Sequence, residues 1–242
     1  MNLPLNTSAN ISDPVAQARY NMIEQQIRPW NVLDADVLEL LSVVRREDFV
    51  PAAYRSLAFA DIEVPLLGND AEEAVRQGHS MLQPRVEARI LQDLRVQPTD
   101  RVLEIGAGSG YMAALLAHKA RHVTTVEISP ELKALAEQNL SDYGVANVDV
   151  QLGNGAQGWT GADGKAGEYD VIVISGSLPL LPEAFGKQLK IGGRLLAIVG
   201  SAPVMELQLI TRTSEHAFET VNIVETLAKP LHAAITPSHF TF

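Results

Sequence analysis

The 242-residue sequence predicts a single α/β domain built around a doubly wound, mostly parallel sheet. Beyond Pro98, apolar segments of strand length alternate with segments of helical periodicity. A glycine-rich turn joins the first of these strands to the following helix, where folds of this class bind ligands. With 46% hydrophobic residues and no low-complexity tract, the chain can build one large core.

We expect residues 1–242 to form one domain with three parts. Residues 1–12 are expected to be flexible, residues 13–97 to form a helical cover over the site, and residues 98–242 to form the ligand-binding core.

The amino-acid composition excludes several kinds of chemistry. The absence of cysteine excludes disulfides, thiolate metal ligands and a cysteine nucleophile. We expect no metal site.

The net charge of -10, without a cluster of basic residues, argues against a nucleic-acid partner. The N-terminal residues have neither the basic region nor the apolar core of a signal peptide. No segment approaches the ~20 apolar residues that a membrane span needs. We therefore expect a cytoplasmic protein without a membrane partner.

The helical cover is predicted from its caps and prolines. Asp13 and Pro14 supply a cap and a first-turn proline, and Pro29 ends the first helix. A second helix begins behind a cap at Asp34 and ends at Pro51. Residues 57–78 have no regular pattern. A third helix is predicted over residues 83–96, before Pro98.

The core is predicted from alternating strand and helix patterns. Helices are expected at 111–119 and at 130–143, the latter between a Ser129 cap and Gly144. The last two strands follow each other without a helix and are expected to form an antiparallel edge hairpin. Strands are predicted at 101–105, 122–128, 147–152, 169–175, 193–199, 204–211 and 218–227.

The glycine-rich turn has the sequence VLEIGAGSGY, with glycines at 106, 108 and 110. A dinucleotide fingerprint would have its third glycine one position later, at Tyr111. A P-loop would continue with Gly-Lys-Ser/Thr, but no lysine occurs before Lys119. A loop of this E-x-G-x-G-x-G type lets the backbone lie against the methionine part of S-adenosylmethionine. The alternative is a tight turn without a ligand.

Two further strand ends support a nucleoside ligand. Glu127 ends the second core strand about 20 residues beyond the loop, where a carboxylate can accept ribose hydroxyls. NAD proteins use the same spacing, so Glu127 alone does not choose the cofactor, and a solvated strand-end carboxylate is the alternative. Asn154 lies between Gly153 and Gly155 after the third strand, where an adenine edge would lie. A simple Asn-Gly turn is its alternative.

From about Arg19 onward the sequence resembles the protein-L-isoaspartate O-methyltransferase family. The segment MIEQQIRPWNVLDADVLELLSVVRREDFVP is similar to the family's helical N-terminal segment. GHSMLQPRVEARILQDL lies where the family has its Gly-Gln-Thr-Ile-Ser-Gln-Pro signature and the following helix. LGNGAQGW corresponds to a Gly-Asp-Gly loop, and YDVIVISGSLPLLPEAFGKQLKIGGRLLAIVG resembles the fourth and fifth strands.

The resemblance implies a Rossmann-like S-adenosylmethionine-dependent methyltransferase fold: a seven-stranded, mostly parallel sheet with helices on both faces and an N-terminal helical segment. It implies S-adenosylmethionine as cofactor and methylation of the carboxylate of L-isoaspartyl residues in damaged proteins. The expected partner is an isoaspartyl-containing protein or peptide. The implied cofactor-binding residues are Ser80, Glu104, Gly106, Ala107, Gly108, Gly110, Glu127, Ile128, Asn154 and Gly155.

Two positions depart from the family pattern. The signature serine, which has the active-site role, falls on Leu82, so Ser80, at the family's threonine position, is the remaining candidate catalytic residue. The aspartate of the Gly-Asp-Gly loop is Asn154, whose amide oxygen can still accept a hydrogen bond from adenine. The substrate-side residues implied by the resemblance are His79, Met81, Leu82 and Gln83.

Several assignments have alternatives. His79 can be an exposed loop histidine, and Glu104 can be a capping or strand-end carboxylate instead of a ligand for the cofactor's amino group. Arg85, Glu87 and Arg89 are predicted to lie on the solvated face of a helix, although Glu87 is near enough to the signature to reach the site. Leu82 leaves two other functions open: a methyltransferase with a different small-molecule or protein acceptor, and a non-catalytic protein that binds S-adenosylmethionine or S-adenosylhomocysteine.

Overall fold

A computed structural model describes residues 12–68, 70–161 and 164–236. The prediction that residues 1–12 are flexible concerns, apart from Ser12, residues that lie outside these ranges. None of the helices in the described ranges combines the length and the apolar character that crossing a membrane requires.

The N-terminal cover is mostly helical. Pro14 begins the first helix as expected, and the Asp13 side chain accepts a hydrogen bond from the backbone N–H of Val15 at 2.9 Å. The first helix continues as a π-helix and a 3-10 turn before the chain turns at Asn31. The regular elements of the cover are α1 (Pro14–Met22), α2 (Ala35–Val43), β1 (Val64–Pro65), α3 (Ala71–Arg76), β2 (Ser80–Met81) and α4 (Pro84–Leu94).

Two predictions for the cover were wrong in part. The second helix ends at Val43, because Val44 is extended and the chain then forms a 3-10 turn over Arg46–Phe49. This break lets Val44, Arg46 and Phe49 all face the interior.

The segment 57–78, expected to be irregular, contains β1 and α3. Asp70 caps α3 by accepting a hydrogen bond from the backbone N–H of Glu73 at 3.1 Å.

The core follows the predicted alternation. Its strands are β3 (Arg101–Ile105), β4 (His122–Glu127), β5 (Val148–Leu152), β6 (Tyr169–Leu178), β7 (Leu189–Ser201), β8 (Val204–Arg212) and β9 (Phe218–Glu225). Its helices are α5 (Tyr111–Lys119), α6 (Pro130–Tyr143) and α7 (Glu183–Gln188), the last of which was not predicted.

These seven strands form one sheet in the order β5-β4-β3-β6-β7-β8-β9. The first five strands in this order are parallel, and β8 pairs antiparallel with both β7 and β9. The predicted fold class and edge hairpin are therefore confirmed. The order reverses at β3, which lies between β4 and β6, so loops on either side diverge there and open a ligand crevice.

The sheet separates two apolar clusters. Along β6, Val171 and Val173 point into the cluster that includes α4, α5 and α6, whereas Ile172 and Ile174 point into the cluster that includes Phe185 of α7. This alternation is the period of two expected for a strand that is buried on both faces. Helices therefore cover both faces, and the carboxyl ends of the parallel strands stay free for the loops.

Gly110 and Gly144 provide a matched test of packing at the helix ends. Both have positive φ, +83° at Gly110 and +79° at Gly144. A Cβ at Gly110 would lie 3.1 Å from Cγ of Leu140 and 3.2 Å from the Ala136 carbonyl oxygen, whereas nothing lies within 4 Å of one at Gly144. Left-handed backbone costs a non-glycine residue ~1–2 kcal/mol. We expect Gly144→Ala to lose this amount and Gly110→Ala to lose more.

Urea unfolding of the two variants measures the difference. Equal losses of unfolding free energy would mean that the contact between the glycine loop and α6 does not restrict residue 110.

Candidate active site

A cleft opens at the carboxyl ends of the parallel strands, and its empty space, including the part open to solvent, is about 860 Å³. Loops that follow β3, β4 and β5 contribute to it, together with the carboxyl-terminal part of β6, one segment from the cover and one that follows β9. The lining residues lie within 78–82, 87, 104–109, 111–112, 126–129, 132, 153–156, 175–176 and 229–232.

The glycine loop crosses the floor of this cleft. The backbone N–H of Gly106 donates to the Val126 carbonyl at 2.8 Å, and that of Gly108 donates to Oε2 of Glu127 at 3.0 Å. Gly106, Ala107 and Gly108 line the cleft. Gly110 is not among the lining residues, because its position packs against α6. The first two glycines thus face the cleft, and the third brings two helices close together.

Glu127 is 5% exposed and is held by three backbone N–H groups. In addition to Gly108, the N–H groups of Ile128 and Ser129 donate to its Oε1 at 2.9 and 3.0 Å. A carboxylate offers about four acceptor positions, so these bonds fix its orientation and leave capacity for a hydroxyl donor in the cleft. This arrangement excludes the alternative of a freely solvated strand-end carboxylate.

Glu104 is fully buried at the end of β3 and lines the same cleft. The hydroxyls of Thr125 and Ser175 donate to its two oxygens at 2.7 and 2.8 Å. Burial raises the pKa of Glu104 to about 8, although the two hydroxyls oppose that change. Near neutral pH the protonated form therefore predominates, and a carboxylic acid can donate a hydrogen bond as well as accept one.

Asn154 and Gly155 follow β5 and line the cleft, as does Ile128, which is 40% exposed. Oδ1 of Asn154 accepts a hydrogen bond from the backbone N–H of Ala156 at 3.0 Å. The side chain thus closes the Asn-Gly turn that was its alternative assignment. Its amide N–H groups and one remaining lone pair are available to a ligand in the cleft.

The signature segment forms the upper wall of the cleft. His79, Ser80, Met81 and Leu82 all line it, and β2 positions them by pairing with β1. Leu82 is half-buried and packs against the main apolar cluster. Gln83 is not among the residues that line this cleft; it borders a separate cavity beside Asp61 and Met205.

A buried ion pair contacts the backbone of this wall. Arg46 and Glu87 form a salt bridge, and the Arg46 side chain also donates to the Leu82 carbonyl at 2.7 Å and to the Ala58 carbonyl at 3.1 Å. The Arg46 guanidinium lies 5.2 Å from the centroid of the Tyr111 ring. Burial raises the pKa of Glu87, and the adjacent Arg46 opposes this change.

The prediction that Glu87 lies on a solvated face was therefore wrong. Glu87 is 4% exposed and lines the cleft, because α4 turns this side chain toward the Arg46 guanidinium. Arg85 and Arg89, on the same helix, are half-buried. Arg85 stacks over Trp30, and Arg89 pairs with Asp93 at 2.5 Å.

Two parts of the cleft were missed by the sequence analysis. Ser175 and Gly176 lie near the carboxyl end of β6, and small residues at the end of a parallel strand were an available signal. Residues 229–232 follow β9 as irregular chain, which carries no periodic pattern. Ser177 attaches them to the sheet: its backbone N–H donates to the Lys229 carbonyl, and its carbonyl accepts from the N–H of Leu231, both at 2.9 Å.

The raised pKa of Glu104 predicts a pH-dependent contribution to stability. Its usual value is 4.5, so between about pH 4.5 and about pH 8 the folded protein retains a proton that the unfolded chain has released. The contribution is full below that range and is lost as the pH rises through about 8. We expect Glu104→Gln, which does not titrate, to gain stability relative to the parent between about pH 5 and about pH 9.

Urea unfolding across this range tests the expectation. The control is Glu168→Gln, at an exposed position outside the cleft, which should follow the parent curve. A parent and a Glu104→Gln variant with parallel pH curves would contradict the assignment.

Comparison with known proteins agrees with this architecture. The sequence model of the protein-L-isoaspartate(D-aspartate) O-methyltransferase family matches residues 17–233. A protein-L-isoaspartate O-methyltransferase of Rhodopseudomonas palustris is 40% identical over 214 residues, which cover 88% of this chain and 92% of the relative. Its counterpart in Protochlamydia amoebophila is 38% identical over 191 residues, covering 79% and 84%.

Solved structures support the same fold. A structure titled protein-L-isoaspartate O-methyltransferase has a TM-score of 0.72 at 24% identity and covers 89% of this chain and 66% of its own. A Plasmodium falciparum structure, titled as a putative enzyme of this name in complex with S-adenosyl-L-homocysteine, has a TM-score of 0.71 at 18% identity, covering 90% and 98%. With a family match over most of its length and relatives up to 40% identical, the chain belongs to the protein-L-isoaspartate(D-aspartate) O-methyltransferase family.

Proposed function

We propose that this protein transfers a methyl group from S-adenosylmethionine to the carboxylate of L-isoaspartyl residues in damaged proteins. The observation that carries the proposal is the Glu127 carboxylate, fixed by three backbone N–H groups beside the glycine loop, in a chain of this family. The proposed location is the cytoplasm. The proposed partner is an isoaspartyl protein or peptide, and nucleic acid is not a partner.

The residues of the cleft fit a nucleoside without phosphate groups. Its inner wall carries the carboxyls of Glu104 and Glu127, and the segment 104–112 contains no lysine or arginine. The buried Glu127 carboxylate attracts hydroxyl donors and repels phosphate, which disfavours NAD and nucleotide phosphates. Glu127 would hold the ribose hydroxyls, Gly106 and Gly108 would lie against the methionine part, and Ile128 and Asn154 would border the adenine.

S-adenosylmethionine supplies, when bound, a sulfonium methyl group that a nucleophilic oxygen accepts by in-line displacement. The free carboxyl of an isoaspartyl residue is its α-carboxyl, with a reference pKa of ~3.3–3.7, so it is already ionised near neutral pH and the site needs no general base for it. The task of the protein is to orient the acceptor, an effect worth up to ~7–11 kcal/mol in intramolecular models. The wall formed by His79, Ser80 and Leu82 borders the cleft where an acceptor would enter.

A second function is favoured by Leu82 and Glu87 together. Leu82 offers no hydroxyl to an acceptor carboxylate, and Glu87 presents a buried carboxyl to the same cleft. A hydroxyl or amine acceptor must lose a proton, which a carboxylate can accept. The alternative is therefore a methyltransferase for a small-molecule or protein acceptor of that kind. A non-catalytic protein that binds the cofactor or its product remains a further alternative.

Glu127→Gln tests the cofactor site. The amide keeps the shape of the side chain, but it cannot offer two anionic oxygens to backbone and ribose donors. We expect S-adenosylhomocysteine to bind more weakly by roughly 1.5–3 kcal/mol, the value of a hydrogen bond to a charged group. Calorimetric titration measures the affinity, and Glu131→Gln, an exposed position on α6, is the control. Unchanged affinity in a folded Glu127→Gln protein would remove the ribose assignment.

Methyl transfer from radiolabelled S-adenosylmethionine tests the acceptor. We expect the parent protein to methylate an isoaspartyl peptide and not the matched aspartyl peptide. Leu82→Ser should raise turnover, with a gain limited to the ~1.5–3 kcal/mol of one charge-assisted hydrogen bond. Leu82→Ala, which loses the same packing without adding a hydroxyl, is the matched control.

The possible outcomes separate the proposed functions. Methylation of the isoaspartyl peptide alone supports repair. If neither the parent nor Leu82→Ser methylates it while both bind the cofactor, the repair function is excluded. A changed acceptor or a non-catalytic binding protein then remains.

A further inference from the structure

Two chain segments that contact each other carry three basic side chains, and we call His79, Lys229 and His232 the basic rim. All three line the cleft. The rings of His79 and His232 have their centroids 5.7 Å apart. A Cβ built on Gly78 would lie 3.6 Å from Cβ of Lys229, so the two chain segments are in direct contact.

The fold assembles this rim from distant parts of the chain. His79 lies between α3 and β2, and its backbone carbonyl accepts a hydrogen bond from the N–H of Leu66 at 2.9 Å. Lys229 and His232 belong to the segment after β9 that Ser177 holds to the end of β6. Both sides of the rim are therefore fixed by backbone hydrogen bonds, and the side chains extend from anchored positions.

The rim differs in charge from the rest of the cleft. The other ionisable side chains that line it are the acidic Glu87, Glu104 and Glu127 and the phenol of Tyr111. An acceptor that carries a carboxylate would meet like charge at Glu127. Lys229 is the one lysine or arginine among the lining residues of the described chain, so it supplies the only permanent positive side-chain charge there.

The Lys229 ammonium is available to a ligand. It is exposed, and among the described residues no carboxylate lies within 4.0 Å of it. Glu63, which borders the neighbouring cavity, accepts a hydrogen bond from the Lys229 backbone, and the Lys229 charge opposes the rise in the pKa of Glu63 that burial causes. The ammonium thus interacts with Glu63 without forming a salt bridge, and it keeps donors for a ligand.

We propose that the basic rim binds the free carboxylate of the methyl acceptor and replaces the hydroxyl that is absent at Leu82. This inference rests on the proposed methyltransfer and specifies how its acceptor is recognised. Lysine acts as a point charge with three donors, and an imidazole donates at least one N–H. Hydrogen bonds between such donors and a carboxylate are stronger than those between neutral groups.

The free carboxylate of an isoaspartyl residue is also the nucleophile, and its charge is lost as the methyl group is transferred. A cation that contacts it therefore stabilises the bound substrate at least as much as the transition state. The three residues thus determine which acceptor binds. Their loss should raise the KM for the acceptor without lowering kcat and without changing the affinity for S-adenosylhomocysteine, whereas general damage to the cleft would also lower kcat and weaken the binding of S-adenosylhomocysteine.

The test uses the full chain with an isoaspartyl peptide as acceptor. We expect Lys229→Met to raise the peptide KM by about fivefold, the upper range for an exposed ion pair, with kcat not lowered and S-adenosylhomocysteine affinity unchanged. His79→Gln combined with His232→Asn should raise it further when added to Lys229→Met. Lys229→Arg should restore most of the parent KM. Lys187→Met, at a side chain that is 79% exposed on α7, matches the change in net charge outside the cleft.

A binding measurement separates failure of this inference from failure of the proposed function. Fluorescence anisotropy with protein saturated in S-adenosylhomocysteine compares a labelled isoaspartyl peptide with its analogue in which the free carboxylate is a carboxamide. The inference expects the parent to prefer the carboxylate peptide and Lys229→Met to lose this preference.

Each outcome decides one of the two claims. If the parent enzyme methylates the peptide and Lys229→Met leaves the KM unchanged, the proposed role of the basic rim is overturned and the proposed function is supported. If the parent does not methylate the peptide, but prefers the carboxylate peptide in a way that depends on Lys229, the proposed function is overturned and carboxylate binding by the basic rim is supported. Absence of both activity and a Lys229-dependent preference overturns both.

Discussion

The Glu127 carboxylate is the interaction on which the geometry of the cleft depends. It joins the glycine loop after β3 to the turn after β4, because backbone N–H groups from both segments donate to it. An apolar residue at this position would leave three N–H groups without their acceptor, and unpaired buried donors are costly. The same carboxylate thus orders two loops and supplies the polar group for a ribose, so local stability and ligand binding are inseparable here.

The cover depends on a second buried charge. Arg46 contacts Glu87, the Leu82 carbonyl and the Ala58 carbonyl, and it therefore joins the cover to the wall of the cleft. Removing one partner of a buried ion pair typically costs 3–5 kcal/mol, because the other charge stays buried. This pair holds the backbone at residue 82 whatever its side chain. The wall can consequently keep its shape although the family's serine is absent.

The cleft is lined by side chains of both charges. Glu127 supplies a carboxylate where the hydroxyl donors of a nucleoside would lie, and the basic rim lies on the segments 78–82 and 229–232. This lining favours a ligand that presents hydroxyls to one group and an anion to the other.

The sequence by itself determined the alternating core, the caps at Asp13, Asp34 and Ser129, and the loops that carry Gly108 and Glu127, because periodicity and capping chemistry are local properties. Only the tertiary structure decided which side chains meet. Glu87 is separated from Arg46 along the chain, and the segment at Lys229 has no periodic pattern, so neither contact has a local signal. Gly110 has the spacing of a ligand loop, but the packing of α6 decides its role.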